Sequence, residues 1–375
     1  MTIKVIQFIG GLSDGGAETV VKDYVCFYKQ NNIGDITVEP IVVTLMNEKT
    51  TANYRRVKDA GVRVITIYQK YNIVSKIHRE FFGFFYVPYK LKKIIEEEKP
   101  NVIHIHLGLL HYFLPIAKYM KNIKLIYTCH SVPNRYIGKD RPDENAAVKF
   151  LLKHNGLQII ALQSEMKKEI DDMFGTNNTK VLYNGIDVEK FSKVHVDKYE
   201  ERKKMLIPVD AFVIGHVGRF SKEKNHSFLL DVFSKYQQTN DKAFLLLVGW
   251  GNLEEQIKEK IKILHIEKCC MILSHRTDIP QLLSVMDIFL FPSLLEGLGN
   301  AFIEAQLMGL KCIKSNNVPE DVIISNNTAS LSLEDSMDDW CKAIDFKGFN
   351  NHVFNTIDDF RLKTIMSKLT QIYLE

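Results

Sequence analysis

The sequence predicts an α/β chain made of two doubly wound, parallel-sheet domains. Three observations point there. Short β-branched runs alternate with longer helical patterns along all 375 residues. The runs are continuously apolar, as in strands buried on both faces, rather than apolar on every second residue. The alternation halts at a charged stretch, "DVEKFSKVHVDKYEERKKMLIP" (187–208), and then starts again. Strand–helix alternation implies parallel sheets covered by helices, and the length suffices for two ordinary domains.

In the first half, "IKVIQFIG", "ITVEPIVVTL", "VRVITI", "NVIHIH", "KLIYTCH", "QIIALQ" and "KVLYNG" read as strands. Helical patterns at 17–31, 84–98, 109–121 and 163–174 separate them. The charged stretch 187–208 reads as a linker. In the second half the strands are "FVIGHVGRF", "AFLLLVGW", "CMILSH", "DIFLFPS" and "KCIKS". The last segment, "TIDDFRLKTIMSKLTQIYLE", sets Phe360, Leu362, Ile365, Met366, Leu369 and Ile372 at helical spacing, which makes an amphipathic packing helix.

Composition narrows the function classes. Hydrophobic content of 46% and charged content of 25% are those of a soluble globular protein. No run approaches the ~18 apolar residues of a membrane span. "MTIKVIQFIGG" is too short and glycine-rich for a signal peptide, and the six cysteines lack a paired spacing. A cytoplasmic protein with reduced thiols is expected. Adjacent Cys269 and Cys270 point to opposite faces of a strand, which disfavours a shared metal. Residues 51–150 hold 18 basic and 8 acidic side chains, against a net charge of only +4 for the chain. That excess suits an anionic surface or a solvated basic face. No nucleic-acid-binding motif accompanies it, so no nucleic-acid partner is expected.

Ligands of open parallel sheets bind beyond the carboxyl ends of the strands, so the loops there hold the candidate site. The first strand ends in "GGLSDGGAE", where Gly15 and Gly16 allow positive φ and close backbone approach before a helix that begins near Ala17. The spacing is not that of a dinucleotide fingerprint, so a ligand loop and a plain tight turn both stay open. His104 and His106 share a strand face, and with His111 they could ligate a metal, but no carboxylate or thiol completes the set. His130 stands where "KLIYTCH" ends, a position that suits function better than most lone histidines. In "HVGRFSKEKN", Arg219 and Lys224 flank a loop at a strand end and could hold a diphosphate from two sides, or form a solvated basic loop. "LVGWGN" sets Gly249 at another strand end, beside a base or a phosphate.

The stretch "EGLGNAFIEAQLMG" holds two glutamates eight apart, Glu296 and Glu304, around a glycine turn. Pro292 stops the preceding strand, and a helix starts near Asn300 with Glu304 in its second turn. Helix N-termini attract anions, since their first N–H groups are unpaired and carry partial positive charge. The amides of Gly297, Leu298, Gly299 and Asn300 can therefore face a diphosphate, while the two carboxylates bind hydroxyls on either side of it. A nucleotide-sugar has that chemistry.

Together these segments resemble the retaining glycosyltransferases of GT-B family 4. The carrying stretches are "GGLSDGGAE", "TCHS", "YNGID", "GRFSKEKN" and "FPSLLEGLGNAFIEAQLMGLKCIKS", the last with that family's E-x7-E pattern at Glu296 and Glu304. "GHVGRFSKEKNHSFLL" and "VPEDVIISN" are most similar to bacterial capsular and exopolysaccharide transferases of the EpsF or CapH type. The resemblance implies two Rossmann-like domains facing a cleft. Residues 1–190 would bind the acceptor and 205–354 the donor, with 355–375 packing back on the first domain.

The resemblance also implies roles. Arg219 and Lys224 neutralise the donor diphosphate, Glu296 binds the donor hexose and Glu304 the ribose. Gly16 lets its loop approach the phosphates, and His130 lies at the transferred sugar. The donor would be a nucleotide-sugar, UDP by branch. The acceptor would be a saccharide or a polyprenyl-diphosphate-linked saccharide docked on the first domain, the two domains closing on binding. No D-x-D pattern is present, so no metal or other cofactor is expected. No carboxylate nucleophile stands at a strand end of the first half, which suits a same-face retaining mechanism. Asn300 and Ala301 depart from the bulkier residues of many relatives and leave the donor sugar open. "REFFGFFYVPYKLKK" interleaves aromatics with Arg79, Lys90, Lys92 and Lys93, which reads either as helix core or as a peripheral contact with the inner membrane leaflet. The rival readings are a GT-B nucleotide-sugar epimerase and a silent nucleotide-sugar-binding protein.

Overall fold

The computed structural model describes residues 1–69, 73–194, 196–346, 353 and 355–375, with the side chains of 73–78, 80 and 81 outside that description. Contacts divide the chain into two units, Met1–Gly185 with Leu362–Glu375, and Ile186–Arg361. Each is an open α/β sheet with all its paired strands parallel.

In the first unit the strands are β1 Thr2–Ile9, β2 Thr37–Met46, β3 Arg63–Tyr68, β4 Val102–His106, β5 Lys124–Cys129, β6 Gln158–Ala161 and β7 Lys180–Val181. Their order is 3-2-1-4-5-6-7, so the winding reverses between β1 and β4. Pro40 sits inside β2, but β3 pairs with β2 only from Ile41 onward, so the proline lies where the strand has one neighbour. Val5, Val102, Ile126 and Ile160 of the sheet pack with Val20 and Tyr24 of the helix Gly16–Gln30. Ile365, Met366, Leu369 and Tyr373 of the C-terminal helix Leu362–Leu374 complete that core. The amphipathic segment is thus a packing helix of the first unit, but only from Leu362. The preceding turn Ile357–Phe360 belongs to the second unit, where Ile186 N–H donates to Phe360 O at 2.8 Å.

The second unit holds β8 Phe212–Val217, β9 Ala243–Val248, β10 Cys270–Leu273, β11 Ile288–Phe291, β12 Lys311–Ser315 and β13 Thr328–Leu331. Their order, 10-9-8-11-12-13, again reverses beside the first strand, between β8 and β11. Leu229, Leu230 and Phe233 cover one face together with Trp340, which is fully buried.

Three expectations change. The stretch 187–208 is packed against the second unit and not a loose linker. It forms the helices Val188–Ser192 and Lys198–Lys204. Arg202 is buried, donating to Val285 O, Ala211 O and the Asp287 carboxylate at 2.7 Å. A charged side chain can be buried when every donor finds an acceptor, and Arg202 finds them on a distant segment. The pattern at 109–121 forms a 3-10 helix, Leu110–Met120, with Pro115 inside it. The helix expected over 84–98 begins at Ile73 and carries Pro88 within it.

Among the described residues no helix is long and apolar enough to cross a membrane. Four aromatics of the Ile73–Glu98 helix are exposed, while Tyr86 is partly buried with its ring centre 5.4 Å from that of Tyr68. Phe82, Phe84, Phe85 and Tyr89 are 58%, 52%, 74% and 53% exposed, while Phe81 lies outside the described side chains.

Candidate active site

The winding reversal of the second unit puts the loops after β8 and β11 side by side, where a parallel sheet opens a crevice at its carboxyl edge. After β8 the chain runs through Gly218 and Arg219 into a 3-10 turn, Lys222–Lys224. Asn225 then takes a left-handed conformation (φ 55°) to start the helix His226–Gln237. After β11 the chain passes Pro292 and Glu296 to Gly299, which begins the helix Asn300–Leu307. Leu294 N–H donates to Glu223 O at 2.8 Å and ties the two loops.

Across this junction Lys224 Nζ donates to Glu296 Oε1 at 2.5 Å, with the Lys and Glu side chains 19% and 8% exposed. Lys224 Nζ also lies 4.7 Å from the centre of the Phe291 ring. A nearly buried carboxylate needs such a partner, because an unpaired charge there is costly. The exposed Arg219 guanidinium stands 5.6 Å from the Trp250 ring, and Trp250 stacks on His275 at 5.2 Å and 19°. Thus two cations and one carboxylate of the sequence-predicted set stand at adjoining strand ends. Glu304, the fifth residue of its helix, is partly buried, as is Asn300. Leu298 is buried as a side chain, so only its backbone can serve a ligand.

Glycine is required at two of the predicted positions for reasons internal to the chain. Gly299 has φ 102°, and a Cβ there would meet Phe291 at 3.4 Å. At Gly249 a Cβ would fall 1.9 Å from Gly218 O, because the loops after β8 and β9 pack backbone on backbone. Phe220 N–H donates to Trp250 O at 2.9 Å in the same junction. Gly249 shapes the site from behind. Under the site lie two buried histidines that no sequence pattern singled out. His216 donates Nδ1–H to Leu290 O at 2.8 Å, and His226 packs edge-on to it at 4.8 Å. Burial holds their pKa values down, at about 4 and about 2.

In the first unit, Gly15 and Gly16 behave differently from expectation. Gly15 has φ −93° and Gly16 is the first residue of its helix, neither in the left-handed region. A Cβ on Gly16 would meet nothing within 4 Å, so the space beside it is open. The loop before them is pinned from the start of the helix Ala52–Asp59: Thr51 Oγ1 donates to Leu12 O, and Asn53 Nδ2 donates to Ser13 O at 2.7 Å. Glu48 packs against the same loop. Its burial, and then the charge of Glu18, raise its carboxyl pKa. Ser13 Oγ donates to Glu18 at 3.1 Å.

The three histidines His104, His106 and His111 do not converge. His104 and His106 are buried with their rings tilted and 4.2 Å apart, and His130 Nε2 lies 2.8 Å from His106 Nδ1. Burial pushes His104 and His130 down to about 3 and His106 well below the usual histidine range, so all three are neutral. His111 instead meets carboxylates, contrary to expectation: Glu144 Oε1 bonds its Nδ1, and Asp143 is 3.7 Å away. Both acids sit on the helix Pro142–Asn155. Glu144 Oε2 also accepts Leu110 N–H at 2.9 Å, and Arg141 lies 3.6 Å from Asp143 and 3.8 Å from Glu144. The cluster is ion-paired and anchors the 3-10 helix.

Residues 14–190 match the family model Glycosyltransferase Family 4, and residues 197–346 match Glycosyl transferases group 1. EpsF of Bacillus subtilis is 28% identical over 264 residues, 68% of this chain and 68% of that one. The Escherichia coli UDP-Gal:alpha-D-GlcNAc-diphosphoundecaprenol alpha-1,3-galactosyltransferase is 28% identical over 293 residues, 74% and 71% of the two chains. Among solved structures, Anabaena HepE in complex with UDP and glucose superposes with a TM-score of 0.72 at 19% identity, covering 99% of this chain and 94% of that one. Two Rossmann-like units, the paired acids on either side of a glycine turn, and family models spanning both units place the chain among the family 4 glycosyltransferases of GT-B fold.

Proposed function

We propose that this glycosyltransferase moves a hexose or N-acetylhexosamine from a UDP-sugar to a saccharide or polyprenyl-diphosphate-linked saccharide, with retention and without a divalent metal. The observation that carries the reading is the Lys224–Glu296 pair at the β8/β11 reversal, 2.5 Å apart and largely withdrawn from water. The UDP donor and lipid-linked acceptor draw support from the E. coli relative, whose name gives both.

In this reading Lys224 and the exposed Arg219 meet the diphosphate, whose negative charge grows as the glycosidic bond breaks. Glu296 accepts hydrogen bonds from the donor sugar, and Glu304 from the ribose hydroxyls. The amides from Gly297 to Asn300 and the open space beside Gly16 accommodate phosphate oxygens. His130 takes a hydroxyl of the transferred sugar. The C1–O bond breaks with its electron pair on the phosphate oxygen. The acceptor hydroxyl then bonds C1 from the same face and gives its proton to that oxygen.

The first unit is assigned the acceptor. The exposed Phe82, Phe84, Phe85 and Tyr89, beside Lys90, Lys92 and Lys93, fit the headgroup region of an anionic inner leaflet, with the protein cytoplasmic and peripheral.

Proton NMR of the glycoside formed from an α-linked UDP-sugar tests the mechanism. An α product whose rate is unchanged by EDTA is expected. A β product contradicts retention, and loss of transfer in EDTA contradicts metal independence.

A further inference from the structure

The first unit has a winding reversal of its own, between β1 and β4, and with it a crevice at the carboxyl edge of its sheet. The loop after β4 is held there in a conformation its sequence does not favour. Leu107 is left-handed (φ 64°), which strains a leucine and persists only where the surroundings enforce it. Fully buried Glu144 grips the next residues: its Oε2 accepts Leu110 N–H at 2.9 Å, and its Oε1 bonds His111. Both carboxylate oxygens of Glu144 are thus used inside the protein.

Arg141 lies against this loop. A Cβ on Gly108 would meet both terminal nitrogens of the Arg141 guanidinium at 3.3 Å and the ring of Tyr136 at 3.5 Å. Gly108 and His130 each stand two residues beyond His106 and Thr128, the last pair of the adjoining strands β4 and β5. The guanidinium therefore sits at the same strand ends as His130. The side chains of Arg141 and Asp143 are 37% and 47% exposed, with their charged ends 3.6 Å apart. Asp143 also faces His111 at 3.7 Å, and Arg141 faces Glu144 at 3.8 Å. These separations exceed hydrogen-bonding distance, and among the described residues neither side chain makes a hydrogen bond. The N–H donors of one and the lone pairs of the other are unspent, while their charges offset each other. Such a pair offers a ligand directional donors and acceptors with little net charge, which suits vicinal hydroxyls and not a phosphate.

We infer that Arg141 and Asp143 bind hydroxyls of the acceptor sugar and select which sugar accepts, with Gly108 leaving room for the guanidinium. This rests on the assignment of the acceptor to the first unit. Arg141 donates N–H to a hydroxyl oxygen, and Asp143 accepts O–H from that hydroxyl or its neighbour. A sugar that lacks the hydroxyl, or carries it in the other configuration, leaves both groups unpaired and is rejected.

The test is acceptor-driven UDP release. The donors are UDP-glucose, UDP-galactose, UDP-N-acetylglucosamine and UDP-N-acetylgalactosamine. The acceptors are methyl glycosides of the same sugars and undecyl-diphosphate-linked N-acetylglucosamine. The best acceptor of wild type is then compared with its monodeoxy forms, leaving out the form that lacks the hydroxyl to be glycosylated. Wild type should lose about ten- to a hundred-fold in kcat/KM on at least one deoxy form. Arg141→Gln and Asp143→Asn should lose as much on the parent acceptor, through KM, and nothing further on that deoxy form. Their KM for the UDP-sugar and their thermal midpoints should match wild type, since both side chains are partly exposed. A wild type indifferent to every deoxy form overturns the inference. So do losses that merely add, each deoxy form suffering equally in wild type and variants, which is the pattern of a diphosphate anchor or of a structural pair. A wild type that none of these acceptors stimulates contradicts the acceptor assignment and takes the inference with it. That failure shows as absent stimulation, whereas the inference alone fails in the deoxy comparison, so the two are distinguishable.

Discussion

Replacing Lys224 by methionine separates the stabilising role of the Lys224–Glu296 pair from its chemical one. Methionine keeps an apolar stem against Phe291 and deletes only the charge that lies 2.5 Å from Glu296 Oε1. Breaking one side of a fully buried pair costs about 3–5 kcal/mol. Here water reaches 19% of the lysine and 8% of the glutamate side chain, so a loss nearer ~2 kcal/mol is expected. For a unit of this size that lowers the midpoint by roughly 4–8 °C. The same cation, placed at the leaving diphosphate, should be worth about 10²–10³ in kcat. The double variant Lys224→Met/Glu296→Gln then separates the two roles. It leaves no unpaired charge, so most of the lost stability returns, while transfer stays at or below the single variant's rate. The assay is coupled detection of released UDP alongside a thermal melt. If Lys224→Met transfers within three-fold of wild type, or if the double variant recovers activity together with stability, the placement of Lys224 at the diphosphate is wrong.

The glycines divide by the same logic. Gly249→Ala pushes a Cβ to 1.9 Å from Gly218 O and should unfold the loop junction, seen as a large drop in midpoint. Gly16→Ala meets nothing within 4 Å and should fold at least as well as wild type, yet transfer more slowly if donor phosphate fills that space. Unaltered transfer would move the donor away from Gly16. The buried imidazoles set an acid limb. Their folded pKa values, about 3 for His104 and His130 and about 4 for His216, lie below the usual 6.5. The unfolded chain therefore binds more protons below pH 6.5, and stability should fall with pH from there, by at most about 1.4 kcal/mol per pH unit per imidazole. A melting midpoint that holds or rises between pH 7 and 5 contradicts this. Phe82→Ser with Phe85→Ser should abolish co-sedimentation with phosphatidylserine vesicles at low salt and leave transfer to a soluble acceptor intact. Equal binding by wild type and variant would refute the membrane-facing role of that helix.

Much of the architecture was legible because buried parallel strands announce themselves as apolar runs. β13, "TASL", was not, since a four-residue strand with two hydroxyls makes no such run. The positions of Arg219, Lys224, Glu296 and Glu304 were legible too, since they follow strands that any reading would find, and strand ends are where such sheets bind ligands. What escaped depends on pairings across long separations. The charged stretch around Arg202 looks like solvated linker until Val285 O and Asp287 are brought to it. His111 lacks a carboxylate in its own neighbourhood and finds Glu144 on a different helix. Gln7 and Tyr373 lie at opposite ends of the chain, and the periodicity that marks the last helix as amphipathic says nothing of where one hydroxyl goes. Gly15 and Gly16 show the converse error, in which a glycine pair was read for conformation but its backbone needs no positive φ.

The central claim is that the β8/β11 reversal of the second unit is the donor site of a UDP-sugar transferase. Its most direct test is nucleotide release from a panel of UDP-, GDP- and ADP-sugars, with wild type and Glu296→Ala assayed side by side. Release of UDP from one UDP-sugar by wild type, lost in Glu296→Ala while the variant stays folded, is the expected result. Equal release by both proteins, or release from a GDP- or ADP-sugar alone, would contradict it.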